Sequence, residues 1–315
     1  MQVVAITGAS SFIGTHLLVH LSRCRDFHLR LLVHQNSNLS LQESENVSVF
    51  RGDLLDIDTL GGFVESGCIV VNLAYLRRGS PAANLTATNN LIEVCSNAKI
   101  KRLIHCSTAA VSGKVSAARA TEKTPDKPLR EYEITKSRIE KIILEKSDRL
   151  YETVILRPTA VFGKDGRNLL KLVESLLYGN RIVNYLRSCI YQFRSMNLVY
   201  IDNVVSAIEF LIRTDNNMNG EVFIISDDDD PLNNYRDIEE YFMKRMGCKG
   251  YSVSPVSVPF PILRLLLALT GRGHVNPVLV YDCKKILSWG FKKPLNFEEG
   301  LSRFSDWYIK THCPK

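Results

Sequence analysis

The stretch Ile6-Thr7-Gly8-Ala9-Ser10-Ser11-Phe12-Ile13-Gly14 joins two apolar runs of different period. Before it, Gln2–Ile6 reads as a short buried strand. After it, Ile13, Leu17, Leu18 and Leu21 recur at helical spacing within Phe12–Cys24. Gly8 allows a tight turn out of the strand, and Gly14 lets the helix pack close to a sheet. The N–H groups of Ser10, Ser11, Phe12 and Ile13, with the helix N-terminus, then face a pyrophosphate. A glycine at position 11 would complete G-x-x-G-x-x-G, but the chain has Ser11. A serine there keeps its N–H for donation if its φ is negative, and its hydroxyl offers a phosphate a further contact.

The alternation continues outward. His28–Val33, Val47–Phe50, Cys68–Tyr75, Arg102–Cys106 and Thr153–Leu156 read as strands, and Asn84–Asn97 and Glu131–Lys146 as helices. This order predicts an α/β fold with a Rossmann-type, doubly wound parallel sheet, whose ligands lie beyond the carboxyl ends of the strands. After Leu156 the pattern weakens. Asn168–Tyr178, Asn203–Arg213, Tyr235–Met246 and Phe297–Lys310 read as helices, Val199–Ile201 and Glu221–Ile225 as short strands. The expected division is a dinucleotide-binding domain over 1–160, with a return at about 199–226, and a smaller C-terminal substrate lobe over 161–198 and 227–315.

Composition narrows the classes. The 315 residues are 45% apolar and 23% charged, as in a soluble globular protein. The N-terminus lacks the basic and long apolar regions of a signal peptide. The apolar stretch Val256–Thr270 is too short and too interrupted by Pro259, Pro261 and Arg264 to span a bilayer. Eight cysteines without a C-x-x-C pair fit reduced thiols in the cytoplasm, and no metal site is expected. The net charge of +7 is spread along the chain, with no basic-aromatic cluster for nucleic acid. Asp227–Asp230 reads as a loop.

The strand ends carry the chemistry. Strand two ends Leu32-Val33-His34-Gln35-Asn36, without the acid that would hold the ribose diol of NAD. His34 and nearby Arg30 tolerate a 2′-phosphate, so NADP is favoured over NAD. Asp53, in Gly52-Asp53-Leu54, can accept from an adenine amino group. Ala74, in Asn72-Leu73-Ala74, is small enough for a cofactor to lie over the backbone. Leu54 and Leu73 join the expected cofactor contacts.

Tyr132-Glu133-Ile134-Thr135-Lys136 is Y-x-x-x-K, which puts a phenol and an ammonium on one helix face. The cation should lower the phenol from about 10 toward neutrality, making it a general acid/base. Tyr281-Asp282-Cys283-Lys284-Lys285 repeats the pattern, but no glycine turn or hydroxyl pair precedes it, and Tyr281 is read as structural. Ser107 and Thr108, at the end of strand five, place hydroxyls beside Tyr132.

These residues resemble the extended short-chain dehydrogenase/reductase superfamily, in its NAD-dependent epimerase/dehydratase branch. TGASSFIG (7–14), NLTATNNLIEVC (84–95), HCSTAAVSG (105–113), YEITK (132–136), LRPTAVFG (156–163) and NLVYIDNVVSAI (197–208) match its motifs in order and approximate spacing. The resemblance implies Tyr132 as general acid/base, Lys136 on the nicotinamide ribose, Thr108 on the substrate oxygen with Ser107 as fallback, and Pro158 and Thr159 along the nicotinamide. Ala109-Ala110 stand where 4,6-dehydratases carry Asp-Glu, which argues against dehydration. Ala160 stands where galactose-type 4-epimerases carry Asn, which puts that subtype in doubt.

GRNLLKLV (166–173), FRSMNLVYIDN (193–203) and LSWGFKKP (287–294) look closest to bacterial nucleotide-sugar 4-ketoreductases and 4-epimerases of polysaccharide pathways. They imply a nucleoside-diphosphate sugar as substrate, with Asn168 and Arg194 on its diphosphate. The family's dimers imply a homodimer. Two rival readings are a reductase of a small lipophilic ketone, as in steroid and flavonoid reductases, and a non-catalytic dinucleotide sensor.

Overall fold

The computed structural model describes residues 1–34, 44–146, 150–259, 261–262, 265 and 276–312. In chain order the main elements are β1 (Gln2–Thr7), α1 (Phe12–Leu21), β2 (Phe27–Val33), β3 (Val47–Arg51), β4 (Ile69–Asn72), α2 (Pro81–Ala98), β5 (Arg102–Cys106), β6 (Arg119–Ala120), α3 (Glu131–Lys146) and β7 (Glu152–Pro158). Then come β8 (Ala160–Phe162), α4 (Leu170–Tyr178), α5 (Arg181–Tyr191), β9 (Leu198–Tyr200), α6 (Ile201–Arg213), β10 (Glu221–Ile225), α7 (Tyr235–Arg245), β11 (Val280–Tyr281), α8 (Lys284–Ser288) and α9 (Phe297–His312).

The main sheet runs β10-β7-β5-β4-β1-β2-β3. The pairs from β7 to β3 are all parallel. The chain winds outward from β1 to β3, then restarts on the other side of β1 with β4. The gap beyond the ends of β1 and β4 is therefore the topological switch point, where such sheets bind ligands. Every residue of β4 and β5 is buried, and their polar members Asn72, Arg102 and His105 are hydrogen-bonded inside.

The chain divides into two compact units. The first comprises 1–111, 128–158 and 204–223. On one face of its sheet, Leu91, Ile92 and Cys95 of α2 and Ile139 and Ile143 of α3 pack on Val70, Leu103 and Ile155. Opposite them, His20 of α1 meets Glu209 of α6 at 2.6 Å. Arg102, fully buried, donates to Glu152 (2.7 Å) and to the carbonyls of Leu211, Thr214 and Asn216 (2.7, 2.9 and 3.0 Å). One guanidinium thus closes the C-terminal turn of α6, whose last carbonyls have no helical partner.

The second unit comprises 112–127, 159–203 and 224–315. It holds two small parallel pairs, β8 with β9 and β6 with β11. Its core is aromatic: the Phe162 ring lies 5.6 Å from that of Phe297 and 6.3 Å from that of Phe304.

Four differences from the sequence expectations have physical causes. Segment 112–127, expected in the nucleotide domain, has its backbone partners in the second unit: β6 pairs with β11, and Glu122 accepts from Ile224 N at 2.9 Å. Helix α5 is absent from the sequence expectations, which place no element between Tyr178 and Val199. Asn180 is in fact its N-cap, accepting from Ile182 N and Val183 N. The Asp227–Asp230 loop is anchored: buried Asp227 accepts from Tyr200 N (2.9 Å) and pairs with Lys293 (3.1 Å). The cation Arg30 is spent on Glu65 (2.9 Å) and on the carbonyls of Gly62 and Phe63, so it is not free for a 2′-phosphate. Tyr281 is buried on β11, as its structural reading required. Gln35, Asn36, Cys313 and most of Val256–Thr270 lie outside the described residues. Among the described residues, no helix is long and apolar enough to cross a membrane, and no cluster of His, Cys, Asp and Glu could hold a metal.

Candidate functional site

The turn after β1 lies at the switch point. Gly8 has φ +69°, and a Cβ there would come within 2.8 Å of Leu73 C and Ala74 N beyond β4. A Cβ at Gly14 would come within 2.3 Å of Gly8 O. Both glycines are thus demanded by the backbone. Ser11 is not such a position: its φ is −73°, open to any residue. Its Oγ accepts from Gly14 N at 3.1 Å as the N-cap of α1, and its own N–H donates to Gly8 O at 2.9 Å. The serine therefore closes the turn on itself, and its N–H is not left free. Among the described residues the N–H groups of Phe12 and Ile13 have no protein acceptor. They are the orphan donors of the helix N-terminus and suit an anion.

Around this turn the strand ends are cross-braced. Thr7 Oγ1 donates to Asn72 Oδ1 (2.6 Å), which also accepts from Ala74 N (3.2 Å). Asn72 Nδ2 donates to His105 Nδ1 (3.0 Å). Leu54 and Leu73 are buried beside them. The Asp53 carboxylate lies 3.4 Å from His34 Nε2, so the acid missing from β2 in sequence is supplied in space from beyond β3.

The first unit also assembles a polar cluster at the ends of β4 and β5. Tyr132 and Lys136, one turn apart on α3, sit with Thr108 and Tyr75. The Tyr75 ring meets that of Tyr132 edge-on, with centroids 5.0 Å apart. The Thr108 hydroxyl lies close enough to the Tyr132 phenol to lower its proton affinity, and it accepts from Ala110 N at 3.2 Å. Tyr132 keeps 43% of its surface exposed, so its ring is open to a ligand from one side. Lys136 is buried and its Nζ donates to Cys106 O at 3.0 Å. The Ser107 Oγ is buried with no partner among the described residues.

The electrostatics depart from expectation. Loss of water around the hydroxyl pushes the Tyr132 phenol up to about 12, and the Arg77 guanidinium only partly opposes this. Lys136, turned to the Cys106 carbonyl, is not among the groups that lower it. Burial moves Lys136 itself downward. The arrangement holds a protonated phenol at neutral pH with a hydroxyl donor at its side.

Pro158 ends β7 in the first unit, while Thr159, Asn168 and Arg194 belong to the second. Thr159 Oγ1 is buried without a partner among the described residues. Asn168 precedes α4 and donates to Val161 O at 2.6 Å. Arg194 lies over the Tyr191 ring at 5.5 Å, and its backbone is tied to Tyr191 and Tyr235. Sequence reasoning missed Tyr75 and Arg77. Their signal is an aromatic and two arginines directly after a buried strand, in Leu73-Ala74-Tyr75-Leu76-Arg77-Arg78.

Comparison with known proteins adds a family. The profile of the 3-beta hydroxysteroid dehydrogenase/isomerase family matches residues 5–258. A decarboxylating sterol-4-alpha-carboxylate 3-dehydrogenase of Candida albicans is 26% identical, over 98% of this chain and 97% of its own. Among solved structures, the dTDP-glucose 4,6-dehydratase of Bacillus anthracis in complex with NAD superposes with a TM-score of 0.76 at 18% identity, over 99% and 98% of the two chains. The UDP-glucuronic acid 4-epimerase of Bacillus cereus, also with NAD, gives 0.72 at 20%, over 100% and 99%. These two share the fold.

Proposed function

The chain belongs to the 3-beta hydroxysteroid dehydrogenase/isomerase family, and we propose that it interconverts a ring carbinol and its ketone, at C4 of a nucleoside-diphosphate sugar. It is an extended short-chain dehydrogenase/reductase with a Rossmann fold. The observation that carries the redox chemistry is the convergence of Tyr132, Thr108 and Lys136 within one unit.

The turn fits a dinucleotide: Phe12 and Ile13 offer orphan N–H groups, and Gly8 and Gly14 leave no room for side chains. Phe12 and Ile13 give their N–H groups to its pyrophosphate, and Gly8, Ser10, Ser11 and Gly14 shape the turn around it. Leu54, Leu73 and Ala74 line it, and Ser107, Lys136 and Pro158 meet its nicotinamide half. With Arg30 engaged and His34 paired to Asp53, the ribose pocket suits the diol of NAD rather than a 2′-phosphate. When bound, the nicotinamide supplies or accepts the hydride.

Tyr132 moves the proton. A phenol near 12 is protonated at physiological pH, the form that donates to a carbonyl oxygen as it becomes an alkoxide. Thr108 gives that oxygen a second hydrogen bond. Reduction of a keto group is the direction in which this protonated phenol serves as the acid. Ala109-Ala110 supply no acid or base for dehydration. Asn168 and Arg194 take the diphosphate, Arg194 through its bidentate fork.

The sugar-nucleotide substrate is supported by the sequence motifs of the second unit and by the likeness of both solved folds over their whole length. The family match and the Candida relative support a second reading, a lipophilic ring alcohol or ketone. Thermal unfolding with UDP, dTDP or GDP separates them, because a ligand that binds the folded chain raises its melting temperature. A rise with one of these nucleotides is the expected result. No rise with any, alongside a rise with NAD, favours the lipophilic substrate. Absence of hydride transfer to a panel of both classes, with cofactor still bound, would favour a sensor.

A further inference from the structure

Lys136 poses an electrostatic problem. Its ammonium is buried, and among the described residues one acceptor, Cys106 O at 3.0 Å, takes one of its three protons. A buried cation without compensation loses its proton instead.

Cys106 and Glu140 raise the proton affinity of Lys136, but less than burial lowers it, and neither is a free anion beside it. From β5, burial pushes the Cys106 thiol up to about 11, and burial together with Lys136 holds His105 well below its usual range. From α3, Tyr132 stays a phenol near 12. Glu140, one turn further along α3, is engaged elsewhere: both its oxygens accept from Arg157 Nε at 3.1 Å and the pair closes to 2.5 Å.

What remains is an aromatic face. Lys136 Nζ lies 5.1 Å from the centroid of the Tyr75 ring, within the range of a cation–π contact. The ring meets that of Tyr132 at an interplanar angle of 85°, and Thr135 acts on its hydroxyl from the next turn of α3. The backbone behind it is fixed as well. Buried Asn84 of α2 accepts from Leu76 N (2.9 Å) and donates to Leu76 O (3.1 Å).

We propose that Tyr75 is a positioning residue of the site: its ring face carries the Lys136 ammonium, and its contact with Tyr132 sets the orientation of the phenol. Tyr75 touches Tyr132 and Lys136 at once, so it couples the charge of one to the placement of the other. The inference concerns the same site as the proposed function, but its test needs no substrate.

The test is the titration of Lys136 in the 315-residue chain labelled with 13C at the lysine ε-carbons. The Lys136 signal is assigned by its absence in Lys136→Arg. Replacing Tyr75 by phenylalanine should leave the midpoint close to that of the parent, because the ring face is kept. Replacing it by phenylalanines carrying one to four more fluorines drains the negative face at nearly constant shape. The proton affinity of Lys136 should then fall step by step, by about tenfold or more across the series. Tyr75→Leu should fall at least as far; if that variant does not fold, the fluorinated series alone decides. A flat series overturns the proposal, as does a shift in Tyr75→Phe equal to that of the most fluorinated ring. Failure of every sugar nucleotide to bind would refute the substrate reading and leave this measurement intact.

Discussion

Gly14→Ala and Ser11→Gly change neighbouring positions of one turn and should have opposite outcomes. An alanine at 14 places its Cβ 2.3 Å from Gly8 O and 2.8 Å from Ala9 C, where ordinary contact begins near 3.4 Å. The obstructing atoms are backbone, so they cannot rotate away. The start of α1 must move off the turn by about 1.1 Å, the shortfall between those two distances. Overpacking of this kind costs roughly 1–3 kcal/mol of stability. The shift also carries the N–H groups of Phe12 and Ile13 away from a bound pyrophosphate. Losing one hydrogen bond to a charged group is worth about 1.5–3 kcal/mol, so NAD affinity should fall by roughly 10- to 100-fold. Ser11→Gly removes only the cap oxygen, a loss of a few tenths of a kcal/mol. At φ −73° a glycine sits without strain. Its NAD affinity should stay within about tenfold, or roughly 1.4 kcal/mol. Quenching of NADH fluorescence gives the affinities, and urea unfolding gives the stabilities. Parental affinity in Gly14→Ala would refute the steric argument. Loss of all binding in Ser11→Gly would make the serine a required ligand instead of a cap.

Further outcomes follow from single groups. Arg102→Met should cost about 3–5 kcal/mol in urea unfolding, because it leaves three carbonyls at the end of α6 and Glu152 without their buried donor; a loss below about 1 kcal/mol would show that water replaces it. Burial pushes the Asp228 carboxyl from its ordinary 3.8 up to about 7, so the folded chain holds this proton more tightly than the unfolded chain. Its contribution to stability is present at acidic pH and is lost as pH rises from about 4 to 7. Asp228→Asn should flatten that slope in melting temperature against pH, and an unchanged slope would exclude Asp228 as its source. Asp53→Asn should weaken NAD more than NADP in fluorescence titration, since it removes the carboxylate 3.4 Å from His34; equal weakening would place Asp53 away from the ribose.

The Rossmann half was readable because its cues are local. A buried parallel strand is mainly apolar, a strand-to-helix turn over a pyrophosphate needs glycine at Gly8 and Gly14, and i, i+4 spacing puts Tyr132 and Lys136 on one face. What stayed hidden depends on contacts distant in sequence. Nothing in Arg30 announces that Gly62, Phe63 and Glu65 occupy it. Nothing in the two residues of β6 shows that their partner lies at Val280–Tyr281. Asn180 marks a helix start in the structure and a break in the sequence. The phenol of Tyr132 was expected to be lowered by Lys136, but spacing along a helix does not say where an ammonium points, and here it turns to Cys106 O and the Tyr75 ring. The three members of the polar cluster that motifs mark were legible, and Tyr75, which joins them, was not.

The central claim is that Tyr132 handles the proton of a hydride transfer. It is tested most directly by mixing the enzyme with NADH and a panel of nucleoside-diphosphate 4-keto-hexoses and following absorbance at the nicotinamide wavelength, for the parent and for Tyr132→Phe. The account predicts oxidation of NADH by the parent with at least one ketone, and loss of turnover by about a thousandfold or more in Tyr132→Phe with NADH affinity unchanged. Full turnover in Tyr132→Phe would contradict it.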